Sequence, residues 1–296
     1  MNDFWIILTG ALVAASCSLV GCFLVLRKTA MIGDAISHSV LPGIVIAFLL
    51  SGSRDSLIML LGASVIGLLT VFLIQLFQQS GIQSDASIGV VFTALFSVGV
   101  ILVSLYTRQI DLDLDCVLYG EIAYVPWNTI EIAGMDIGPK AVWTVGVTLL
   151  ISGLVIGLFY KQFKVCSFDP ALAAAVGIPV VLFHYLLMGL VSITTVASFE
   201  SVGAILVVGM LIVPAATAYL LTEKLGRMIF LSMTIGVLSS VLGYGLAFLL
   251  DASIAGCMIC VAGVLFLLAF LFSPHQGLVI RQIRQRRTVS AVSLGE

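Results

Sequence analysis

Asp34 and His38 stand four residues apart inside an apolar stretch, in the run Gly33-Asp34-Ala35-Ile36-Ser37-His38-Ser39. On a helix that spacing puts both side chains on one face, with Cβ atoms about 5–6 Å apart, so a carboxylate oxygen and an imidazole nitrogen can converge on one ion. An ionisable side chain at the centre of a bilayer costs about 2.5–3.5 kcal/mol on insertion scales, so the pair needs a reason to be there. Carboxylate with imidazole suits a first-row divalent metal such as manganese, zinc or iron better than calcium or copper(I). A plainer reading has Asp34 capping a helix by accepting from the backbone of Ile36 or Ser37, and His38 satisfied by a nearby carbonyl. Pro42-Gly43 weighs for the ion site, because a proline-interrupted membrane helix exposes carbonyls at its break.

A second polar stretch, Ser198-Phe199-Glu200-Ser201-Val202-Gly203, leads into a span carrying Pro214. Pro214 is expected to interrupt that span as Pro42 interrupts the earlier one. Glu200 is expected at the outer end, about half the ~30 Å core from His38, where a gate or entrance fits better than a ligand, and a solvated hairpin acid fits equally. Cys257 and Cys260 form a CxxC on one helix face, but in a uniformly apolar span plain packing outweighs metal or redox chemistry. Cys116 has no partner in its loop and reads as a free thiol. His184 lies on an apolar face and reads as structural, and His275 as an interfacial residue.

These residues must be held by membrane helices. Of the 296 residues 61% are hydrophobic and only 9% charged, and the mean hydropathy is +1.23. A water-soluble domain cannot hide that much apolar surface. The net charge of −2 and pI near 5.9 offer no basic surface for nucleic acid. About nine runs reach the ~20 residues needed to cross a bilayer, near 4–26, 30–50, 57–77, 86–106, 141–160, 180–197, 201–222, 228–250 and 252–272. The chain therefore reads as all-α, a polytopic membrane domain over 1–275 followed by a disordered basic tail, 276–296. The first run lacks a basic leader and a cleavage site, so it is expected to be a retained helix.

With nine spans, Arg27, Lys28, Lys161, Lys164, Lys224, Arg227 and the tail arginines 281, 284, 286 and 287 share one side, the cytoplasmic one. The acid-rich loop 107–140 falls opposite, and part of it, around Val117–Val125, is a candidate short re-entrant helix. The expected topology is N-terminus out, C-terminus in. On the cytoplasmic side, Phe168-Asp169-Pro170 opens an Ala-rich run that closes at Gly177. Asp169 reads as an N-cap, Pro170 as the first helical residue and Gly177 as the stop. A short capped helix of small residues, Ala174 among them, fits a groove on a soluble partner, and equally a surface connector.

The runs Asp34 to Gly43, Phe168 to Ile178, and Val202 to Val208 continuing through Pro214-Ala215-Ala216-Thr217-Ala218 together resemble the membrane permeases of metal-type ABC importers, the bacterial manganese, zinc and iron uptake systems. The resemblance covers about residues 4–275, with its motifs in matching order. It implies a fold similar to the vitamin B12 importer type of permease, working as a pair of subunits, with the same chain or a related one as second member. It implies that Asp34 and His38 contact the metal in the translocation path and that Phe168 to Ile178 docks on a cytoplasmic ATPase. It also implies an extracellular or periplasmic metal-binding protein that delivers the ion, and no permanently bound cofactor. Glu200 stands where zinc importers of the family often carry glutamine, which leans toward manganese. The chain has no Gly-x-x-x-x-Gly-Lys-Ser/Thr phosphate loop, so the expectation is a transport subunit in the bacterial cell membrane, not an enzyme. An ion-coupled secondary carrier needs no capped cytoplasmic helix. A membrane metalloenzyme needs another ligand or base beyond Asp34 and His38.

Overall fold

The computed structural model describes residues 2–52, 56–106, 122–132 and 135–273, except for the side chains of residues 56–57, 131–137 and 200. Among the described residues nine helical segments are long and apolar enough to cross a membrane, and their bounds follow the expected spans within a few residues. The tail, Cys116, His275 and most of the acidic loop lie outside the described residues.

The bundle is built around α1 (Asn2–Leu26), in which every residue from Val13 to Leu24 is buried. A helix that is apolar all round belongs inside. Its small residues let neighbours approach closely, as is usual where lipid provides no hydrophobic drive between helices. A Cβ on Gly21 would collide with the Leu211 carbonyl oxygen. Polar side chains then bond to backbone across the contact: the Ser240 hydroxyl donates to the Gly10 carbonyl at 3.0 Å, and that of Ser232 to the Ser18 carbonyl at 3.5 Å.

The second span is two helices, α2 (Ala30–Ser39) and α3 (Leu41–Ser51), meeting at Val40. Pro42 has no N–H for the carbonyl four residues back, which is that of His38. The hydrogen-bond ladder is interrupted at Val40, whose backbone stays in the right-handed helical region. Gly43 acts differently, as a close-contact residue: a Cβ there would meet the Gly62 carbonyl oxygen at 2.6 Å, where α3 crosses α4 (Ser56–Gln79). The fourth span is α5 (Ser84–Tyr106).

The loop after α5 holds what the helical reading missed. Ile122–Trp127 is a 3-10 turn, with Ile122 and Val125 buried, and an antiparallel hairpin comes next, β1 (Thr129–Ile132) with β2 (Met135–Pro139). The candidate re-entrant helix is thus a short 3-10 segment where it is described, and its Ile122 reaches the Gly10 level of α1. The hairpin stands against the start of α1 through Trp5, whose ring a Cβ on Gly138 would meet at 2.7 Å. Its signal was the alternation of Ile130 and Ile132 with Thr129 and Glu131, too short to register beside long apolar runs.

After the hairpin come α6 (Lys140–Leu158), α7 (Tyr160–Phe168) and α8 (Pro170–Ala175). α9 (Val180–Leu221) is continuous except at Gly203, with φ 79° and ψ 166°. Cys17 Sγ lies 3.8 Å from Ser198 Oγ, and the hydroxyl of the adjacent Ser18 donates to the Met210 carbonyl at 3.4 Å. Twelve residues of straight helix would separate Ser198 from Met210 by about 18 Å. Both meet one turn of α1, so the chain folds back at Gly203 and makes the sixth and seventh spans from the two arms. α10 (Leu225–Leu250) and α11 (Ile254–Phe272) complete the bundle.

Pro214 does not interrupt its span. The arm runs through it as helix, and the carbonyl it leaves without a helical partner, that of Met210, accepts the Ser18 hydroxyl. One end of the bundle gathers the basic residues: Arg27 meets Ser167 of α7, and Tyr160 lies against Gly226, between Lys224 and Arg227. Ser273, at the close of α11, bonds to the Leu220 carbonyl at that same end. The hairpin and the N-terminus lie at the other.

Candidate functional site

Asp34 lies inside α2, not at its start. Thr29 occupies the N-cap position and makes no side-chain capping bond, so the capping reading of Asp34 fails. The two side chains share a face, with His38 Nε2 3.6 Å from Asp34 Oδ1. The residues around them on α2 are buried, Ile32, Ala35, Ile36, Ser37 and Ser39 among them. The pair itself stays open, at 37% exposure for His38 and 35% for Asp34. Phe92 and Phe96 of α5 flank the imidazole, with ring centroids at 6.0 and 6.4 Å. These two aromatics went unremarked in the sequence because a phenylalanine in an apolar span carries no signal of its own.

The arrangement offers a carboxylate and an imidazole side by side, with the remaining sides open. Among the described residues no group of three or more His, Cys, Asp or Glu side chains gathers. A carboxylate and an imidazole could supply half of a small coordination shell.

Glu200 lies three residues before the reversal at Gly203, and only its backbone is described. Its depth differs from the expected outer end. A Cβ on Gly33 would touch Leu211 at 3.0 Å, which puts these residues at one level. Eight residues from Leu211 to Gly203 rise about 12 Å, and five from Gly33 to His38 about 7.5 Å in the same sense. The bend therefore comes within about 5 Å of the His38 level, well short of half a bilayer core away. Nothing in the local sequence announced that the hairpin apex is sunk into the bundle.

At the basic end, α8 is closed at both ends as its sequence requires. Asp169 Oδ1 accepts the Leu172 N–H at 2.9 Å, Pro170 opens the helix, and Gly177 at φ +86° ends it. The Ile178 N–H then bonds to the Ala173 carbonyl. Ala173 is buried, whereas Phe168, Leu172 and Val176 are exposed at 55%, 53% and 69%. Leu172 and Val176, four residues apart, and Phe168 just before the cap leave three apolar side chains exposed beside the exposed Ala174. Phe163 of α7 fixes the segment from within, against Phe23 at 5.7 Å and Phe183 at 5.4 Å. Burial pushes the Cys166 thiol up, partly offset by the nearby Arg27. Burial also lowers the Arg27 guanidinium.

The remaining sequence candidates stay apart from the pair. Cys257 is buried and Cys260 exposed, so the CxxC does not form one site. His184 sets its ring edge against Tyr185. A cavity lined by Leu221, Thr222, Gly226, Arg227, Phe230 and Leu231 lies at the basic end and brings no ligand group toward α2.

The profile of the ABC 3 transport family matches residues 3–273. The chain is 56% identical over 282 residues to the manganese transport system membrane protein MntD of Bacillus subtilis, covering 95% of this chain and 96% of that one. It is 42% identical to the zinc transport system membrane protein TroD of Treponema pallidum, covering 95% and 77%. Among solved structures it is similar to one titled PsaBC from Streptococcus pneumoniae in complex with Fab, with a TM-score of 0.78, 35% identity and 92% of each chain covered. These matches run the length of the bundle, through α2, the α7–α8 segment and the folded-back α9. The chain belongs to the ABC 3 transport family.

Proposed function

We propose that the chain is the permease subunit of an ABC importer for a divalent transition metal, manganese first, with zinc or iron as alternatives. The observation that carries this reading is the Asp34–His38 pair, a third exposed on an otherwise buried stretch of a broken membrane helix. Such a pair gives transient ligands that can be completed and released. Manganese comes first because the 56% identical relative carries it in its name, and the zinc relative is more distant.

In this reading a metal-binding protein docks at the hairpin end and releases the ion toward the face of α2, where a second permease, a copy or a relative, supplies the missing ligands. Glu200, near the His38 level at the bend, acts as a gate or a further ligand. A separate ATPase binds the exposed apolar side chains of Phe168, Leu172 and Val176, and its ATP-driven motion reverses access to the path. The basic end faces the cytoplasm, as the positive-inside bias requires, which places the N-terminus outside and the C-terminus inside.

Asp34→Ala and His38→Ala test the reading, with manganese(II) accumulation measured in cells alongside the amount of assembled complex. Each variant is expected to assemble normally and to lose nearly all uptake. Undiminished uptake by both would sink the metal-path assignment.

A further inference from the structure

Arg27 lies in the turn that joins α1 to α2, and there it bonds to the α7–α8 segment. Its Nε donates to Ser167 Oγ at 3.1 Å. Ser167 stands two residues before Asp169, the cap of α8. Arg27 in turn stands three residues before α2 begins at Ala30. Among the described residues this is the only side-chain hydrogen bond that ties α7 and α8 to α1 or α2.

The connection from α1 to α2 has no slack. The N–H groups of Arg27, Lys28 and Thr29 all bond back to α1, to the carbonyls of Phe23, Val25 and Leu24. Lys28 takes a left-handed conformation, φ +57°, rare for a residue with a side chain. A displacement of Arg27 therefore reaches α2 without being absorbed by a flexible loop. On the other side Phe23, Phe163, Phe183 and Phe159 pack edge to ring, joining the end of α1, α7 and the start of α9.

The polar groups at this turn are incompletely used. Arg27 Nη2 and Thr29 Oγ1 are both buried without a hydrogen-bond partner, two of the five such atoms among the described residues. Among the described residues no carboxylate pairs with Arg27. Native structures rarely leave buried donors unmet, and where they do a second arrangement that meets them is a physical reason.

We propose that Arg27 and Ser167 form a strut that transmits movement of the ATPase-facing α7–α8 segment to α2, and so to Asp34 and His38. Arg27 is then a positioning residue that never touches the ion. The inference rests on the reading of α8 as the ATPase-docking helix. When the segment moves, the strut shifts the tight Arg27–Thr29 turn, and the unmet groups of Arg27 and Thr29 take partners in the other state. A static pin would need only the aromatic cluster.

The test uses the permease purified with its ATPase in lipid nanodiscs and the same variants in cells. Ser167→Ala removes one hydroxyl from a half-buried position and leaves the aromatic cluster intact. Arg27→Met removes the charge and every N–H donor of the side chain while keeping a long chain at the position. Each is expected to keep the complex assembled with its basal ATP hydrolysis, while manganese(II) uptake per ATP hydrolysed falls about tenfold, within the range of ordinary coupling energies. The manganese concentration giving half-maximal uptake should stay unchanged, and Ser167→Thr should restore coupling. The double variant should be no worse than either single one. Wild-type uptake per ATP in both variants, or losses that multiply in the double variant, would overturn the strut. Ala174→Pro separates the two ideas: if it leaves hydrolysis and uptake coupled, the docking reading itself fails. If it uncouples them while both strut variants behave as wild type, only the strut fails.

Discussion

At the residue scale, glycine separates what is decided by space from what is decided by type. Gly21 faces the backbone of Leu211 so closely that a methyl group would collide with its carbonyl oxygen. Backbone cannot swing aside as a side chain can, so Gly21→Ala must push α1 and α9 apart. The expected cost is about 1–3 kcal/mol or more, read as a lower midpoint of thermal unfolding in detergent and less protein in the membrane. Gly146→Ala is the control. Nothing lies within 4 Å of its Cβ position, and alanine is the better helix former, so that variant should melt at or above the wild-type temperature. The same distinction applies at the pair. Asp34 and His38 were legible because their chemistry is costly in a membrane, whereas Phe92 and Phe96 beside them were not.

At the element scale the turns were read better than the breaks. Asp169, Pro170 and Gly177 enclose α8 as local rules require, because a cap, a fixed φ and a left-handed stop act over one or two residues. Proline removes a donor, and the surroundings decide whether the helix parts. At Pro42 it does, whereas at Pro214 the Ser18 hydroxyl takes over the freed Met210 carbonyl and the helix continues. The true reversal of α9 is at Gly203, in a φ/ψ region that is almost closed to other residues. Gly203→Ala should therefore cost about 1–3 kcal/mol from backbone strain. Circular dichroism melting of the purified protein should show the loss, and an unchanged midpoint would mean that the bend relaxes freely.

At the scale of the whole molecule, α1 is wrapped on all sides while α5, α6, α10 and α11 present broad apolar faces, with Leu150, Leu154, Phe248 and Leu249 among the most exposed. Lipid covers such faces. The stripe of α2 that carries Asp34 and His38 differs, because it exposes a carboxyl–imidazole pair next to the exposed Met31. On the proposed function a second permease covers this stripe, because lipid would leave an ionisable pair without partners. If so, a cysteine placed by Met31→Cys should cross-link two permease subunits under mild oxidation in native membranes. One placed by Leu150→Cys, on the broad face of α6, should not. Equal cross-linking at both sites would argue against a partner on the α2 face.

The sequence by itself determined the membrane character, the spans, the side that carries the basic residues, the capped helix and the one-turn spacing of Asp34 and His38. Each of these is local: hydropathy over about twenty residues, charge between spans, a cap, or two ligands one turn apart. Tertiary structure alone decided that Asp34 is not a cap, that α9 folds back near the depth of His38, that Pro214 is rescued by Ser18, and that Arg27 reaches Ser167 across 140 residues. Those outcomes depend on which surfaces meet, and close contact between helices is set by small residues whose partners lie far away in the chain.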